Sequence, residues 1–186
     1  MTRRIVASSA ALILAILLAN PSHAAVVTLH ADDFAYITTG NSTSTGGSGT
    51  AFNGAGIYVV TNAYNAGGAV RLGKSDAAGS ITTTNLAMQA GMLSVRVDVK
   101  GWTTVEGQLR ISVAGEQSTI TYTAVMAGSF ETVSADFEVP AGTHAVTFAT
   151  TAKRCYLDNI LITQEVSDDM VPLAAPVALP PTATTL

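Results

Sequence analysis

The chain of 186 residues fits one domain better than two, and its nine Lys and Arg residues are outnumbered by thirteen Asp and Glu. With 16 Gly, 25 Thr and only 12% charged residues, the composition favours strands and turns over a helical bundle. The net charge of -4 excludes nucleic-acid binding through a basic surface. The single cysteine excludes an internal disulfide or a cysteine-rich zinc site.

The first 24 residues have the three parts of a secretory signal peptide. Arg3 and Arg4 form a basic start, residues 5–19 are apolar apart from two serines, and Ser22-His23-Ala24 is a small-x-small cleavage pattern. The apolar stretch is short for a membrane span of about 20 residues, so cleavage after Ala24 is expected rather than a permanent anchor. We therefore predict a secreted protein (extracellular, cell-surface or periplasmic) that does not span a membrane after cleavage.

Short β-strand patterns separated by Gly, Asn and Ser follow the signal. The clearest are residues 93–100 and 109–113, where apolar and polar side chains alternate strictly, as in a strand with one face in a core. In chain order the predicted strands are 26–29, 34–38, 57–60, 69–72, 80–84, 93–100, 109–113, 118–126, 130–139, 144–150 and 155–163. Many short strands without a helix predict an all-β fold, a two-sheet antiparallel β-sandwich of jelly-roll type over residues 25–165.

Two segments lack the strand pattern. Residues 40–56 are polar and rich in Gly and Ser, which predicts a long surface loop. Residues 166–186 contain four of the six prolines and no Lys, Arg or aromatic residue. This composition predicts a disordered tail rich in Pro, Ala and Thr.

Four short motifs occur in an order typical of one group of proteins. They are Ala69-Val70-Arg71-Leu72-Gly73, Gly79-Ser80-Ile81-Thr82, Val99-Lys100-Gly101-Trp102 and Lys153-Arg154-Cys155-Tyr156-Leu157-Asp158-Asn159-Ile160. From Asp32 to Gln164 the chain thereby resembles the galactose-binding-like jelly-roll modules of exported bacterial proteins, which are distant relatives of carbohydrate-binding modules. The resemblance implies an accessory, non-catalytic role.

Asp158 is the carboxylate for which the resemblance implies a metal. Strict alternation places it on one strand face with Tyr156, Ile160 and Ile162, where an ionised carboxylate is costly unless it is hydrogen-bonded, paired or metal-bound. In the modules that the chain resembles, an aspartate of the last strand often binds a calcium that joins the two ends of the chain. A structural calcium held by Asp158 and Asp33, or Asp32, is the implied cofactor. The alternative is that Asp158 accepts bonds from backbone amides or pairs with a basic neighbour.

Two aromatic residues are predicted ligand contacts. Trp102, the only tryptophan, either stacks on a sugar ring or covers the open end of the sandwich core with its N–H satisfied at the rim. Tyr58, beside the Gly-rich segment, is a further loop contact.

A polar surface is the other predicted ligand contact. Arg96, Asp98, Lys100 and Arg110 are expected on the solvent faces of two neighbouring strands. Arg96 and Arg110 would bind a polar ligand there. The alternative is a solvated sheet face with cross-strand charge pairing.

The sequence does not predict an enzyme. It has no G-x-S-x-G, no H-E-x-x-H and no phosphate-binding glycine loop. Glu106 and Glu131 would act on a glycosidic bond only if the fold brought them together. Cys155 is expected to be a small buried residue, with an intermolecular disulfide as the alternative.

These observations predict a secreted, non-catalytic binding or adhesion module. Extracellular or cell-surface carbohydrate is the expected ligand class, because the chain resembles carbohydrate-binding modules. The alternative is a structural or protein-interaction β-sandwich without a small-molecule ligand, whose partner is a surface protein. The scarcity of aromatic residues, 6% of the chain, favours that alternative.

Overall fold

The structure is a computed structural model that describes residues 24–44 and 49–167. The strands are β1 Ala24–Asp32, β2 Tyr58–Thr61, β3 Ala63–Asn65, β4 Val70–Leu72, β5 Ser80–Thr83, β6 Leu86–Met88, β7 Gly91–Gly101, β8 Leu109–Val113, β9 Glu116–Ile120, β10 Glu131–Val139, β11 Gly142–His144, β12 Val146–Thr150 and β13 Cys155–Ser167. The one helical element in the described part of the chain is a 3-10 turn, Gly54–Gly56. No helix among these residues is long and apolar enough to cross a membrane.

The strands form two main antiparallel sheets, as predicted for a β-sandwich of jelly-roll type. Sheet I has the order β10-β7-β13-β4-β3, and β1 also pairs with β13. Sheet II has the order β2-β5-β12-β8-β9, and a separate short ladder joins β6 to β11. The long strand β13 therefore pairs with β7 along one side and with β4 and then β1 along the other.

The core lies between the sheets and uses the alternating residues that the sequence singles out. Leu93, Val95, Val97 and Val99 of β7 and Leu109 and Ile111 of β8 all have no exposed surface. Each such burial contributes roughly 1.5–3 kcal/mol relative to an exposed side chain. The predicted periodicity of these two strands is confirmed.

A β-bulge in β13 changes which side chains share a face. The register with β7 shifts between Asp158 and Leu161, and Asn159 has a left-handed backbone conformation with φ of 48°. Because the extra residue reverses the alternation, Ile160 and Ile162 enter the core while Asp158 stays outside it. The expectation that Asp158 shares a face with these isoleucines is wrong.

A second apolar cluster covers part of the outer face of sheet I. We call it the outer cluster; it contains Ala66, Ala69, Trp102 and Tyr156, with Met126 and Phe130 packed against it. Lys100, expected in solvent, is only 3% exposed, and its ammonium lies 4.4 Å from the Phe130 ring centroid. The segment before β10 covers this lysine.

Several strand boundaries differ from the prediction. Residues 34–38 form a turn, because Phe34 has φ of 51° and its carbonyl accepts a bond from Ile37 N. Strand β9 ends at Ile120 rather than at residue 126, and the short strands β3, β6 and β11 lack a predicted counterpart. The predicted loop 40–56 is not wholly superficial, since Phe52 is buried in the core.

The two ends of the described chain lie side by side. Strand β1 pairs with β13 from Ala24 opposite Ser167 to Asp32 opposite Ile160. Strand β13 thus extends past residue 165, the predicted end of the domain. The predicted signal peptide (1–24) and tail (166–186) otherwise lie outside the described residues.

Candidate functional site

A depression of about 240 Å³ lies beside the edge strand β3, where three connecting segments meet. Its lining residues are Tyr36, Ile37, Thr38, Thr39, Phe52, Asn53, Ala55 and Asn65. Phe52 and Ile37 are buried and form the floor, whereas Thr38, Thr39 and Asn53 are exposed. Apolar and hydroxyl or amide groups therefore meet in one concave surface.

Two side-chain-capped turns build the walls of the depression. Asp32 Oδ1 accepts a bond from Phe34 N at 2.9 Å, and Asn53 Oδ1 accepts one from Ala55 N at 3.0 Å. Both capped residues have positive φ, 51° for Phe34 and 49° for Ala55. Non-glycine residues in this conformation cost roughly 1–2 kcal/mol each and cluster at functional sites.

The third wall is held by close packing of backbone against Asn65. A side chain at Gly40 would place its Cβ 2.2 Å from the Asn65 carbonyl oxygen, and one at Gly49 would place it 2.4 Å away. The Asn65 amide nitrogen donates to Thr39 Oγ1 at 3.0 Å and to Thr50 Oγ1 at 3.2 Å. Residues 39–40 and 49–50 are thus fixed against β3 at the position that lines the depression.

Tyr36 stands at the rim with 47% of its surface exposed. Its hydroxyl donates to Asp32 Oδ2 at 3.1 Å, and the buried Tyr58 donates to the same oxygen at 3.0 Å. His30 Nε2 lies 2.7 Å from the Tyr58 oxygen and is the donor there, since the single Tyr58 proton is already used. Burial and then the charge of Asp32 raise the pKa of both tyrosines, so both remain protonated donors.

The structure does not place the predicted aromatic contacts at this depression. Trp102 is 6% exposed and belongs to the outer cluster, where its ring stacks on Tyr156 with centroids 5.6 Å apart. It covers the outer face of sheet I rather than an end of the core. Tyr58 is also 6% exposed, and its ring packs against Phe34 and Phe52.

Arg96 and Arg110 do not share a surface. Strand β7 pairs with β10 and β13 in sheet I, whereas β8 pairs with β12 and β9 in sheet II. Both side chains point away from the core, so they lie on opposite outer faces of the sandwich. The expectation that they lie on neighbouring strands is wrong, and a role for either one in ligand binding stays a prediction.

The carboxylates proposed for calcium lie in one acidic region. Burial raises the pKa of Asp158, as do the charges of Asp98, Asp33 and Asp32, while a bond from Asn159 N at 2.8 Å lowers it. Among the described residues, no group of three or more His, Cys, Asp or Glu side chains is placed to hold a metal ion. The described side chains do not form a calcium cage by themselves, and the calcium stays a prediction.

The two glutamates considered for catalysis have separate structural partners. Glu106 accepts from Arg154 through both oxygens, at 2.6 and 2.8 Å. Glu131 accepts from Thr123 N at 2.8 Å and from Ala124 N at 3.1 Å. Cys155 is buried, as expected, and burial raises the pKa of its thiol, so the thiolate is disfavoured.

The lining residues of the depression were missed by the sequence patterns. Tyr36, Ile37 and Thr38 fall in the predicted strand 34–38, and Asn53 falls in the predicted surface loop 40–56. Two local signals point to the turns: Asp32-Asp33 before Phe34, and Asn53-Gly54. Neither signal shows that the two turns meet beside β3.

The sequence matches no protein-family model and no curated protein. Some solved structures have a similar arrangement of strands. A family 35 carbohydrate-binding module from Clostridium thermocellum is 14% identical, with a TM-score of 0.46 over 56% of this chain and 90% of that one. A carbohydrate-binding module of Cellvibrio mixtus lichenase 5A, in complex with cellotriose, is 16% identical, with a TM-score of 0.46 over 74% and 98%.

A family 35 module from Paenibacillus barcinonensis is 18% identical, with a TM-score of 0.46 over 62% of this chain and 99% of that one. The chain is thus similar to carbohydrate-binding modules in the arrangement of its strands. Similarity at this level of identity does not extend to the ligand.

Proposed function

We propose that the protein is an exported, non-catalytic glycan-binding module and that the depression beside β3 is its binding site. The observation that carries this proposal is Tyr36, a half-exposed aromatic ring held at the rim of a concave, uncharged surface by its bond to Asp32.

The chemistry of the lining suits a sugar. A pyranose offers an apolar C–H face and a ring of hydroxyl groups that both donate and accept. An aromatic ring matches the first, and amide and hydroxyl groups such as those of Asn53 and Thr38 match the second. The depression is smaller than the roughly 300–1,000 Å³ of typical ligand pockets, which favours one sugar unit as the main contact.

The absence of catalysis is part of the proposal. Its support is that the two glutamates considered as glycosidase residues each hold a loop in place through short hydrogen bonds. A carboxylate engaged by an arginine or by backbone amides is a poor general acid, because these bonds favour its ionised form.

The test is a glycan array on the mature protein, followed by calorimetry with the hits. Tyr36→Ala should weaken binding about tenfold or more, because it removes the ring. Tyr36→Phe keeps the ring and should retain most of the affinity. Val105→Ala, which trims another exposed apolar side chain, is the matched control. Binding that survives Tyr36→Ala unchanged would place the ligand elsewhere.

One observation favours the alternative, a protein-interaction module. Val26 and Met92, 67% and 45% exposed, line a second depression of about 380 Å³ on the outer face of sheet I. Concentration-dependent self-association in analytical ultracentrifugation, abolished by Met92→Lys, together with an array without hits would favour this function.

A further inference from the structure

The eight side chains that line the depression beside β3 are all uncharged. No Lys or Arg occurs in the sequence between Arg4 and Arg71, so the segments that form the depression contain none. Arg71 stacks over the ring of Tyr64 at 4.2 Å, on the face of the β3–β4 pair opposite to the side chain of Asn65.

Negative charge, in contrast, lies directly behind the rim. Asp32 Oδ2 accepts the hydroxyl proton of Tyr36 at 3.1 Å. Asp33 is exposed, and its Oδ1 accepts from Ala35 N at 3.0 Å, next to Tyr36 in the chain. Burial raises the pKa of Tyr36, as do Asp32 and, to the smallest extent, the charge of Asp33, because a nearby negative charge disfavours the ionised tyrosine.

From this arrangement we infer that Asp33 is a specificity-determining residue that, together with Asp32, makes the site select uncharged glycans over glycans that bear carboxylate, sulfate or phosphate groups. The inference rests on the proposed function. An anionic sugar unit in the depression would contact no cation among the lining residues and would be repelled by the carboxylates of Asp32 and Asp33 behind the rim. An uncharged sugar unit is not repelled, and it contacts only hydroxyl, amide, aromatic and aliphatic groups.

The expected size of the effect follows from Coulomb's law. The effective dielectric constant for an exposed carboxylate beside an open depression lies between about 20, typical of pairs near a protein surface, and about 80 in water. At about 30–60, a like charge roughly 8 Å away weakens binding about three- to tenfold at low ionic strength. Salt reduces this factor, because the screening length falls to about 8 Å at 0.15 M. Asp33→Asn removes the charge and keeps the Oδ1 acceptor for Ala35 N, so the turn should persist.

The experiment compares two probes by calorimetry in chelator-containing buffer, so that no divalent cation masks the carboxylates. One probe is the tightest-binding of cellohexaose, mannohexaose and galactohexaose; the other is the same hexasaccharide oxidised to the carboxylate at C6. We expect the wild type to bind the uncharged probe at least tenfold more tightly at low salt. Asp33→Asn should reduce that ratio about three- to tenfold by improving binding of the oxidised probe alone. Asp136→Asn, an exposed carboxylate on β10, is the matched control and should leave the ratio unchanged.

The outcomes separate this inference from the proposed function. Equal binding of the two probes by the wild type, or an unchanged ratio in Asp33→Asn, overturns the inference and leaves the site in place. Hits confined to acidic glycans overturn it in the same way. No binding of any glycan overturns both.

Discussion

The ring of Trp102 stacks on that of Tyr156, with centroids 5.6 Å apart and planes inclined by 24°. The Arg154 guanidinium lies 4.7 Å from the indole centroid, and that of Arg71 lies 5.1 Å from it. Two aromatic rings and two cations therefore form one packed stack on the outer face of sheet I. The sequence makes Trp102 a candidate for stacking on a sugar ring, but in the structure its ring already packs against side chains of the same chain.

Trp102→Ala should destabilise the protein without altering glycan affinity. Loss of this buried ring and of its stacking contacts should lower the free energy of unfolding by about 3–5 kcal/mol. Urea unfolding measures the loss, and calorimetry at a temperature where the variant is folded measures affinity. Trp102→Phe should recover part of the stability. Unchanged stability with lost glycan binding would instead make Trp102 the ligand contact.

The Glu106–Arg154 pair should stabilise the fold in a pH-dependent way. The bonds from Arg154 hold the pKa of Glu106 below its usual 4.5, so the stabilisation is present above about pH 4.5. It is lost as the pH falls through the lowered pKa of the folded state. Glu106→Gln should lower the free energy of unfolding by about 1–2 kcal/mol at pH 7, since it weakens a bidentate, partly buried pair.

Thermal unfolding between pH 3 and 8 tests this pair. The difference in Tm between wild type and Glu106→Gln should shrink below pH 4.5. A difference that stays constant over the whole range would show that the charge of Glu106 contributes nothing. Glu116→Gln, on the edge strand β9, is the control.

Asn159→Gly should lower the free energy of unfolding less than Asn159→Ala does. The φ of 48° at Asn159 is unfavourable for Ala by roughly 1–2 kcal/mol and costs Gly nothing sterically. Both variants lose the bond from Asn159 Nδ2 to Asp98 Oδ2 at 2.9 Å. We expect the Gly variant to be about 1 kcal/mol more stable than the Ala variant in urea unfolding. If the Ala variant is the more stable one, the backbone of the bulge must change conformation to accommodate alanine.

Gln164 should contribute more to stability than its polarity suggests. Its side chain is 1% exposed and bonds both backbone groups of Gln89, accepting from N at 2.9 Å and donating to O at 2.7 Å. Gln164→Leu should cost about 1–3 kcal/mol and speed hydrogen exchange of the Gln89 amide. Gln117→Leu, at an exposed position, should change neither. An unprotected Gln89 amide in the wild type would contradict this interpretation.

Asp158 gives opposite predictions with and without calcium. Its pKa is raised, so its ionised form is disfavoured in the fold, and stability should rise as the pH falls through that pKa. In chelator at pH 7, Asp158→Asn should therefore raise Tm by about 1–2 °C. If Asp33 and Asp158 hold a structural calcium, excess calcium should raise the Tm of the wild type and not that of the variant. A wild-type Tm that does not change when calcium is added would contradict the prediction of a structural calcium site.

Local periodicity made much of this fold predictable. The alternation in β7 and β8 identifies core-facing residues correctly because each strand obeys it independently of its neighbours. The order of the strands within the sheets cannot be predicted from this alternation. Consecutive strands β7 and β8 lie in different sheets, and nothing in their alternation shows this, so Arg96 and Arg110 were wrongly placed together.

The candidate site was harder to predict because it depends on exceptions to periodicity. Phe34 takes a positive φ and thereby breaks a pattern that otherwise resembles a strand. The depression arises where turns distant in sequence meet beside Asn65, a contact set by backbone packing at Gly40 and Gly49. Such contacts arise from the tertiary arrangement, and their only trace in the sequence is a glycine at each point of close approach.

The pairing of Ala25 with Val166 determines how the domain should respond to a mechanical load applied through these two residues. Both lie at the same end of one antiparallel ladder, so tension on them opens the hydrogen bonds one rung at a time instead of shearing all rungs together. The first rungs carry little buried apolar surface, since Val26 and Val27 are 67% and 40% exposed. The sandwich should therefore begin to unzip at low force along β1, while β7 and β8, which hold the core, remain intact.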